Sequence, residues 1–439
     1  MDSRMEVLAR AREQIQQCMK CGNCQAVCPL YLETRHEGAV ARGKIRLAVD
    51  VLEGRLQPTA ELEDRFGLCL TCKACEKNCP CGVKCVEIIL AARAALAATA
   101  GLPVAKKIAF AGLRARRLFD GGLRLGAKMQ GLALKRVPAP DERRRSRAAR
   151  FPIIGLDMRR VIPELAAVPL RDQYEEFNPA YGAAERTVAF FTGCVNNYVY
   201  TDAGRAIVEV LRANGCNVVI PREQHCCGAP VYTSGDLPLA VEMAEHNLAV
   251  FAEADRKYKL DHVVFACGTC VVSFAEQYPH GLTLGAEAKA RAEALAAKST
   301  DVHPLLVKIG ALEKPMGRVE RKVTYHDSCH LARSVHVTAE PRQVLRAIPG
   351  VEFVEMKDAD RCCGGAGSFS LTHYELSRAV TAKKAANIRA TGADTATTGC
   401  PGCRMTIEDG LAQAKMDQPT VHPAMLLYEA YVKAGTLKP

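Results

Sequence analysis

From residue 187 onward, short apolar runs alternate with segments of helical hydrophobic periodicity, a pattern typical of α/β structure. Each apolar run leads toward a cysteine, and the runs predict β-strands at residues 188–191, 262–266, 323–326 and 393–398. Longer amphipathic stretches predict helices at residues 237–257 and 374–390. Gly215 and Gly392 lie where helices should end, as glycine commonly does.

This half of the chain is an internal repeat of cysteines. A lone cysteine, a Cys-Cys-Gly sequence and a Cys-x2-Cys pair occur twice in the same order. The first copy comprises Cys194, Cys226, Cys227, Cys267 and Cys270, and the second comprises Cys329, Cys362, Cys363, Cys400 and Cys403. If these cysteines follow parallel strands, they meet at one edge of a sheet, where open α/β sheets bind their ligands. Adjacent cysteines cannot both face one metal with ordinary geometry, so each set of five predicts a site with several metals.

Three glycines beside these cysteines are predicted to approach the bound group. Gly228, Gly364 and Gly365 follow the paired cysteines directly. They remove side chains where the backbone must come close to a bulky cluster, and their N–H groups can face its sulfurs.

Eight further cysteines lie in the first 100 residues, in two copies of the bacterial four-iron ferredoxin run, each ending in Cys-Pro. A tight turn with cysteines three apart wraps three thiolates around one cluster, and the fourth cysteine serves the other cluster. The predicted ligands are Cys18, Cys21, Cys24 and Cys79 for cluster one, and Cys69, Cys72, Cys75 and Cys28 for cluster two. Zinc is the alternative, because paired Cys-x2-Cys also forms four-sulfur zinc sites. Such a site, however, does not require the third cysteine and the Cys-Pro that both runs contain. Helix-like segments between the two runs predict a helical domain.

The chain has 21 cysteines in 439 residues, which leaves a disulfide framework or a metal framework. The first 17 residues are charged and lack the apolar stretch of a signal peptide, and no apolar run predicts a transmembrane helix. We therefore expect a cytoplasmic protein with reduced, metal-binding cysteines. Cys81, Cys85 and Cys216 lie outside the motifs and are expected to be small apolar residues.

The chain divides into four segments. We predict a helical ferredoxin-like domain at residues 1–100, a basic helical linker at 101–185, and cysteine-rich domains at 186–310 and 311–439. Between residues 101 and 150 there are 14 Lys and Arg against three acids, which accounts for the whole net charge of +11. With no Trp and no basic surface elsewhere, nucleic-acid binding is not expected. The basic segment is a solvated linker, a docking surface for an acidic partner, or an amphipathic helix on anionic lipid.

The double cysteine pattern resembles the cysteine-rich (CCG) domains of heterodisulfide reductase and its relatives. A ferredoxin half followed by two such copies is similar to the iron–sulfur subunits of glycolate or lactate (2-hydroxyacid) oxidases. The matching stretches also include residues 21–29, 42–44, 325–331, 387–394 and 421–423. The resemblance implies an α+β multidomain fold, in which a helical two-cluster ferredoxin domain precedes two tandem α/β CCG domains. It also implies two cubane [4Fe–4S] clusters and two further [4Fe–4S] clusters, expected to be of the noncubane type known from heterodisulfide reductase.

The first functional hypothesis is an electron-transfer subunit that passes electrons from a flavoprotein 2-hydroxyacid dehydrogenase to a quinone or another carrier. No Gly-x-Gly-x-x-Gly follows a predicted strand, so the flavin is expected on a partner, with a membrane quinone or cytochrome subunit as a further partner. A location at the inner face of the cytoplasmic membrane would suit such partners. Both five-cysteine sets are complete, which also favours a catalytic disulfide or quinone reductase. A zinc-stapled interaction protein is the third hypothesis.

His225, His326 and His330 lie beside the predicted cysteine ligands. Imidazole can bind iron or relay protons. Because the sulfurs already suffice for the clusters, we expect these histidines to hydrogen-bond around the ligands instead.

Overall fold

The computed structural model describes residues 5–138, 146–152 and 156–438. Its N-terminal part is helical, and the helices expected between the two ferredoxin runs are confirmed as Ala41–Leu52 and Ala60–Gly67. The second begins where the Thr59 hydroxyl accepts a hydrogen bond from the Leu62 N–H. The remaining helices of this part are Glu6–Ala9, Arg12–Gln16, Asn23–Val27, Pro29–Thr34, Ala74–Lys77 and Cys85–Ala100, with a 3-10 turn at Glu37–Ala39.

The basic segment begins with two helices, Val104–Arg114 and Arg116–Ala133. An antiparallel sheet of three strands follows: β1 (Leu134–Val137), β2 (Ser146–Ala149) and β3 (Val161–Pro163). The basic residues at 139–145 lie outside the described residues. A 3-10 turn at Leu170–Asp172 leads into the first repeat.

The first repeat contains a five-stranded sheet in the order β4-β6-β5-β7-β8, in which only β4 is antiparallel to its neighbour. Its strands are β4 (Phe177–Asn178), β5 (Arg186–Phe191), β6 (Cys216–Val219), β7 (His262–Phe265) and β8 (Ser299–Asp301). Its helices are Gly193–Tyr198, Thr201–Ala213, Ala229–Ser234, Leu237–Tyr258, Gly268–Val272, Ala286–Lys298 and Val302–Lys308, with a π-helix at Ser273–Gly281 and a 3-10 turn at Ala311–Glu313.

The second repeat contains a fully parallel sheet in the order β10-β9-β11-β12. Its strands are β9 (Arg321–His326), β10 (Val351–Phe353), β11 (Thr395–Thr398) and β12 (Thr420–Val421). Its helices are Cys329–Arg333, Ala339–Ala347, Phe369–Thr372, Tyr374–Thr391, Pro401–Gln413 and Pro423–Lys433.

The two sheets have equivalent strand orders, because β6-β5-β7-β8 matches β10-β9-β11-β12. The four strands and two helices predicted from the sequence are confirmed, and Gly215 and Gly392 end their helices with φ of 72° and 62°. One hydrophobic core joins the copies, with Phe190 of the first and Tyr325 of the second both completely buried. Side chains of this size contribute about 1.5–3 kcal/mol each when buried, so the copies stabilise one another.

The ferredoxin part packs against both repeats. Arg93 donates hydrogen bonds to the carbonyls of Phe66 and Cys69 in its own part and of Thr233 in the first repeat. Arg333 of the second repeat donates to the Cys72 carbonyl at 2.9 Å. Within the described ranges no single helix is both long and apolar enough to cross a membrane, and only the pair Cys85–Ala100 and Val104–Arg114, bent by 100°, has the required length and composition together.

Candidate metal centres

The four cysteines predicted for cluster one line a single small cavity. Cys18, Cys21, Cys24 and Cys79 all face it, together with residues that include Cys75, Cys81 and Cys85. A second cavity is lined by the four cysteines predicted for cluster two, Cys28, Cys69, Cys72 and Cys75. The structure therefore brings each predicted set together. Cys75 borders both cavities, so the two sites are immediate neighbours.

Backbone geometry explains how each turn gathers three thiols. Lys20 and Gly22 have left-handed φ values of 60° and 87°, and Thr71 and Lys73 have 49° and 55°. Each pair stands two and four residues after the first cysteine of its run. A non-glycine residue in this region is strained, so its repetition at equivalent positions indicates that the turn must curl around something. Four thiols around one cavity are the donor set that a four-iron cluster requires.

Positive charge is buried beside the second cavity. Lys44 lines it and donates a 2.7 Å hydrogen bond to the Gly38 carbonyl, and burial lowers the pKa of Lys44 to about 8. Burial raises the pKa of Cys28 to about 11. A buried ammonium next to buried sulfurs would offset the negative charge of a thiolate-bound cluster. The sequence analysis named Lys44 only within the matching stretch 42–44 and gave it no role, because its burial depends on the packing of helix Ala41–Leu52.

Two of the three cysteines outside the motifs have clear places in the structure. The thiol of Cys85 contacts that of Cys75, at the boundary between the two ferredoxin cavities. Cys216 is completely buried in β6, where its thiol points to the Asn214 carbonyl at 3.8 Å. Cys216 thus packs in the core of the first repeat, away from both sets of five.

The first set of five cysteines collects at the carboxyl edge of its sheet. Cys194 follows β5, the Cys226-Cys227 pair follows β6, and Cys267 and Cys270 follow β7. Successive thiols touch, in the order Cys194, Cys226, Cys227, Cys270 and Cys267. The second set repeats this arrangement after β9, β10 and β11. Its thiols touch in the order Cys329, Cys362, Cys363, Cys403 and Cys400.

One cysteine at the equivalent position of each set, Cys227 and Cys363, has a pKa well below that of an ordinary thiol. Contacts first from Cys226 and then from Cys270 hold the pKa of Cys227 well below that of an ordinary thiol. Cys362 and Cys403 do the same for the pKa of Cys363. The Ala229 N–H also donates to Cys227, and the Gly365 N–H donates to Cys363. A buried thiol that favours the thiolate form, surrounded by further thiols, fits a metal cluster, because thiolate is the metal-binding form.

The glycines beside the cysteines have identifiable local roles. Gly228 adopts φ of 73° at the start of helix Ala229–Ser234, and Gly364 adopts φ of 95°. A Cβ at Gly365 would come within 2.5 Å of the Thr406 hydroxyl. These positions need glycine for the turn and for close packing, and Gly365 also supplies the N–H that faces Cys363. Contact of all three with a cluster remains a prediction.

Thiol contacts also cross from one centre to the next. Cys267 of the first set contacts Cys400 of the second, and Cys362 of the second set contacts Cys72 of the ferredoxin part. His330 lies at the junction of the two repeats, with its Nδ1 3.0 Å from the Thr269 hydroxyl of the first repeat. The four groups of cysteines therefore form one series: first repeat, second repeat, ferredoxin cavity two and ferredoxin cavity one.

The other two predicted histidines differ in their contacts. The Nδ1 atom of His225 accepts a 2.6 Å hydrogen bond from the Cys226 N–H. His326 is completely buried, its Nδ1 is 3.1 Å from the Ala359 carbonyl, and burial lowers its pKa to about 3. A ring nitrogen of His326 and the Sγ atoms of Cys363 and Cys403 lie within 4.8 Å of one another.

A second pair of histidines was missed by the sequence reasoning. His303 and His422 stack with ring centroids 4.7 Å apart, at the seam between the two repeats. The signal was present as Val-His-Pro, which occurs at residues 302–304 and again at 421–423. Lys384 was missed as well. It is buried beside the second set and donates to the Asp358 carbonyl at 2.6 Å, and burial lowers its pKa to about 8.

Cavities lie at the two ends of the cysteine series. A cavity of about 1040 Å³ opens beside Cys18, with walls that include Ile45, Val49, Leu56 and Arg42. A much smaller one borders the first set at the other end, lined by Cys194 and Cys226 together with Arg116, Arg171 and His225.

Two family models match the chain. The cysteine-rich domain model (CCG) matches residues 188–275 and 323–408, and the 4Fe-4S dicluster domain model matches residues 14–83. The α+β architecture predicted from the sequence, a ferredoxin-like part followed by two CCG copies, is therefore confirmed. These matches identify an iron–sulfur protein.

Curated relatives match the chain over different lengths. The probable glycolate oxidase iron-sulfur subunit of Bacillus subtilis is 33% identical over 428 residues, which cover 94% of this chain and 93% of the relative. Lactate utilization protein A of Oceanobacillus iheyensis is 32% identical over 240 residues, covering 55% of this chain and 96% of the relative. An iron-sulfur protein of Methanococcus maripaludis is 28% identical over 423 residues, covering 94% of this chain and 73% of the relative. The Bacillus subtilis relative thus matches this chain over nearly the whole length of both proteins.

Proposed function

Because the chain belongs to the family of glycolate oxidase iron–sulfur subunits, we propose that it carries electrons from a flavoprotein 2-hydroxyacid dehydrogenase to a quinone or another carrier. The substrate would be glycolate or lactate. Its oxidation to the 2-oxoacid releases two electrons and two protons, and reduction of a quinone to the quinol takes up the same number. The flavin would belong to a partner subunit, because the chemistry-bearing residues of this chain are cysteine sets.

The observation that carries this proposal is the uninterrupted series of cysteine contacts. Cys75 borders both ferredoxin cavities, Cys72 contacts Cys362, and Cys400 contacts Cys267. A protein that only needed structural metals would have no reason to place four centres in one line. An electron relay requires such an arrangement, since each centre must pass electrons to its neighbour.

We propose two cubane [4Fe–4S] clusters in the ferredoxin part and one further [4Fe–4S] cluster, of the noncubane type, in each repeat. The cubane sites would be held by the two sets of four cysteines described above. Five touching thiols per repeat are one more than a cubane needs, which favours a different cluster geometry there.

The cavity beside Cys18 is the proposed binding site of the carrier. Mostly apolar walls with a few polar groups are typical of sites for small lipophilic molecules. Ile45, Val49 and Leu56 supply apolar wall, and the Arg42 guanidinium lies near the cysteine turn, where it donates to the Lys20 carbonyl. A quinone head group bound there would thus lie beside ferredoxin cavity one, which is the last centre of the series.

The opposite end is the proposed contact with the flavoprotein. Helix Arg116–Ala133 is anchored on the first repeat, where Arg116 pairs with Glu223. Its outer face leaves Leu118 and Leu132 77% and 70% exposed, next to basic side chains such as Lys128. Exposed apolar residues among positive charges favour a partner with an acidic rim around an apolar patch. This interpretation selects partner docking among the three alternatives for the basic segment.

One observation favours a second candidate function, a disulfide reductase. Both five-cysteine sets are complete, and the small cavity at Cys194 and Cys226 is lined by Arg116, Arg171 and His225. Asp120 also lines this cavity and pairs with both arginines, so the site is polar with little net charge. A disulfide bound there would take up two electrons and two protons to become two thiols. Purified protein with all clusters, given a low-potential dye as donor, would reduce an asymmetric disulfide if this candidate is correct.

The main proposal is tested on the complex purified from its host. We expect a flavin-containing dehydrogenase to co-purify with the chain, and glycolate or lactate to drive reduction of a soluble quinone analogue. Leu118→Asp with Leu132→Asp should abolish co-purification, whereas Leu371→Asp, at a residue 54% exposed elsewhere, should not. The chain could instead bind anionic vesicles, and the double variant could lose that binding while still binding the dehydrogenase. This outcome would assign the helix face to lipid.

The carrier site has its own test. Val49→Trp should fill the cavity and raise the KM for the quinone analogue several-fold, while reduction of a small water-soluble dye continues. Val168→Trp, at an exposed valine outside the cavity, is the control. Equal quinone kinetics in both variants would place the carrier elsewhere.

A further inference from the structure

The two repeats differ at one position where the central strand meets the cysteine set. β5 of the first repeat ends in Phe191, three residues before Cys194, and β9 of the second ends in His326, three residues before Cys329. Phe191 packs among other aromatic rings, including Phe274 at a centroid distance of 5.1 Å. His326 is as deeply buried as Phe191, yet it brings two polar nitrogens to the equivalent place.

The contacts of His326 determine which nitrogen carries the proton. Its Nδ1 lies 3.1 Å from the Ala359 carbonyl oxygen. A carbonyl only accepts hydrogen bonds, so Nδ1 must be the protonated, donating atom. In a neutral imidazole with this hydrogen bond, Nε2 carries a lone pair and no hydrogen.

That lone pair has nothing to accept. Among the residues that the structure describes, the buried Nε2 of His326 has no hydrogen-bond partner. The Sγ atoms of Cys363 and Cys403 lie within 4.8 Å of a ring nitrogen of His326, and Nε2 is the nitrogen that the bond to Ala359 leaves unused. A buried acceptor without a partner destabilises the folded protein. A metal ion between the nitrogen and the sulfurs would satisfy it.

We propose that His326 Nε2 is an iron ligand of the second repeat, beside Cys363 and Cys403. A ligating histidine whose other nitrogen donates to a backbone carbonyl is the usual arrangement around protein-bound metals. The first repeat, with Phe191 at the equivalent position, would then bind iron through sulfur alone. This inference goes beyond the proposed function and does not depend on which donor or carrier the chain serves. It also departs from the expectation that sulfur alone would suffice.

A mixed nitrogen and sulfur ligand set would make the two repeats electronically different. His326 would be an additional ligand, because the second repeat keeps all five cysteines that the first repeat has. The midpoint potentials of the two centres should therefore differ.

Pulsed electron paramagnetic resonance tests the proposal on the cluster-loaded chain. A Cys227→Ala background removes the first-repeat signal, so the unusual signal that remains belongs to the second repeat. We expect it to show a strongly coupled nitrogen whose pattern changes when histidine is labelled with ¹⁵N. This labelling experiment needs no substitution at His326 and is informative even where variants fold poorly.

The matched variants are His326→Phe, which installs the first-repeat residue, and His330→Asn beside it. His326→Phe should lose the nitrogen coupling and shift the midpoint potential of the second-repeat signal, and His330→Asn should retain both the coupling and the parent potential. A weak coupling, a coupling that persists in His326→Phe, or none in the labelled parent protein would overturn the proposal. One zinc per chain in place of the second-repeat signal would overturn it as well.

Discussion

The thiol of Cys72 in the ferredoxin part contacts the thiol of Cys362 in the second repeat. Both residues are buried in a shared apolar cluster, which also contains Leu70 and Phe369. This contact is the point where the two kinds of cysteine site meet. It makes the second repeat, and not the first, the immediate neighbour of the ferredoxin centres.

A guanidinium holds this junction together, so Arg333→Ala should weaken it. Arg333 is almost completely buried and donates to the Cys72 carbonyl at 2.9 Å and to the Asp360 carbonyl at 2.7 Å. Its loss leaves buried carbonyls without partners, which should lower the free energy of unfolding by about 1–3 kcal/mol. We also expect slower electron exchange between the ferredoxin and repeat signals in rapid-mixing experiments, at unchanged iron content. Arg318→Ala, which removes only a surface ion pair with Glu320, should behave as the parent.

The two five-cysteine sets should be separable by substitution of equivalent cysteines. Cys227→Ala and Cys363→Ala each remove the middle thiol in the contact order of its set, so each should delete one unusual paramagnetic signal. The ferredoxin signals should persist in both. Cys216→Ala is the control, because that thiol packs in the core of the first repeat and should leave every signal unchanged. Loss of the ferredoxin signals in either cluster variant would contradict the division of ligands.

The crossed assignment of the fourth ferredoxin cysteine is testable in the same way. Cys28 lines the cavity of the second run and Cys79 that of the first. Cys28→Ser should therefore perturb the cluster that Cys72→Ser destroys, and Cys79→Ser the cluster that Cys21→Ser destroys. Spectra that pair Cys28 with Cys21 instead would show that each run binds its own cluster.

Much of the fold could be predicted because its elements are encoded locally. The strand beginning at Arg186 ends in four apolar residues, the strand beginning at Arg321 carries the β-formers Val323, Thr324 and Tyr325, and Gly215 ends a helix through a left-handed φ that few other residues adopt. The first three cysteines of each ferredoxin run were also expected to gather from their spacing alone, whereas the fourth cysteine of each predicted set comes from the other run. The short strands β4, β8 and β12 have two or three residues each and carry too little pattern to be recognised.

The features that the sequence could not predict depend on how separate parts pack. Cys72 meets Cys362, and Cys267 meets Cys400, only because the repeats and the ferredoxin part adopt one arrangement. Lys384 is an ordinary helix residue by pattern, and its burial beside the second set follows from contacts with the loop at Asp358. The same holds for His303 and His422, whose sequence separation hides a direct contact.

His422 should make the stability of the protein depend on pH. Its Nδ1 accepts the Ala424 N–H at 3.2 Å, its ring stacks on His303, and burial holds its pKa well below the ordinary value of 6.5. The charged groups that face it are Arg404 and Cys400. Below about pH 6.5 the unfolded chain binds a proton that the folded protein excludes, so stability is retained above this pH and lost as the pH falls.

The measurement is denaturant unfolding of the parent and of His422→Asn at pH 7.5 and pH 5.5. The parent should lose on the order of 1 kcal/mol more than the variant over this interval, since one proton is involved. Other buried histidines, such as His326, contribute equally to both proteins, so the difference between them isolates His422. An identical loss in both proteins would mean that His422 takes up its proton without unfolding, and that the seam between the repeats admits charge and water.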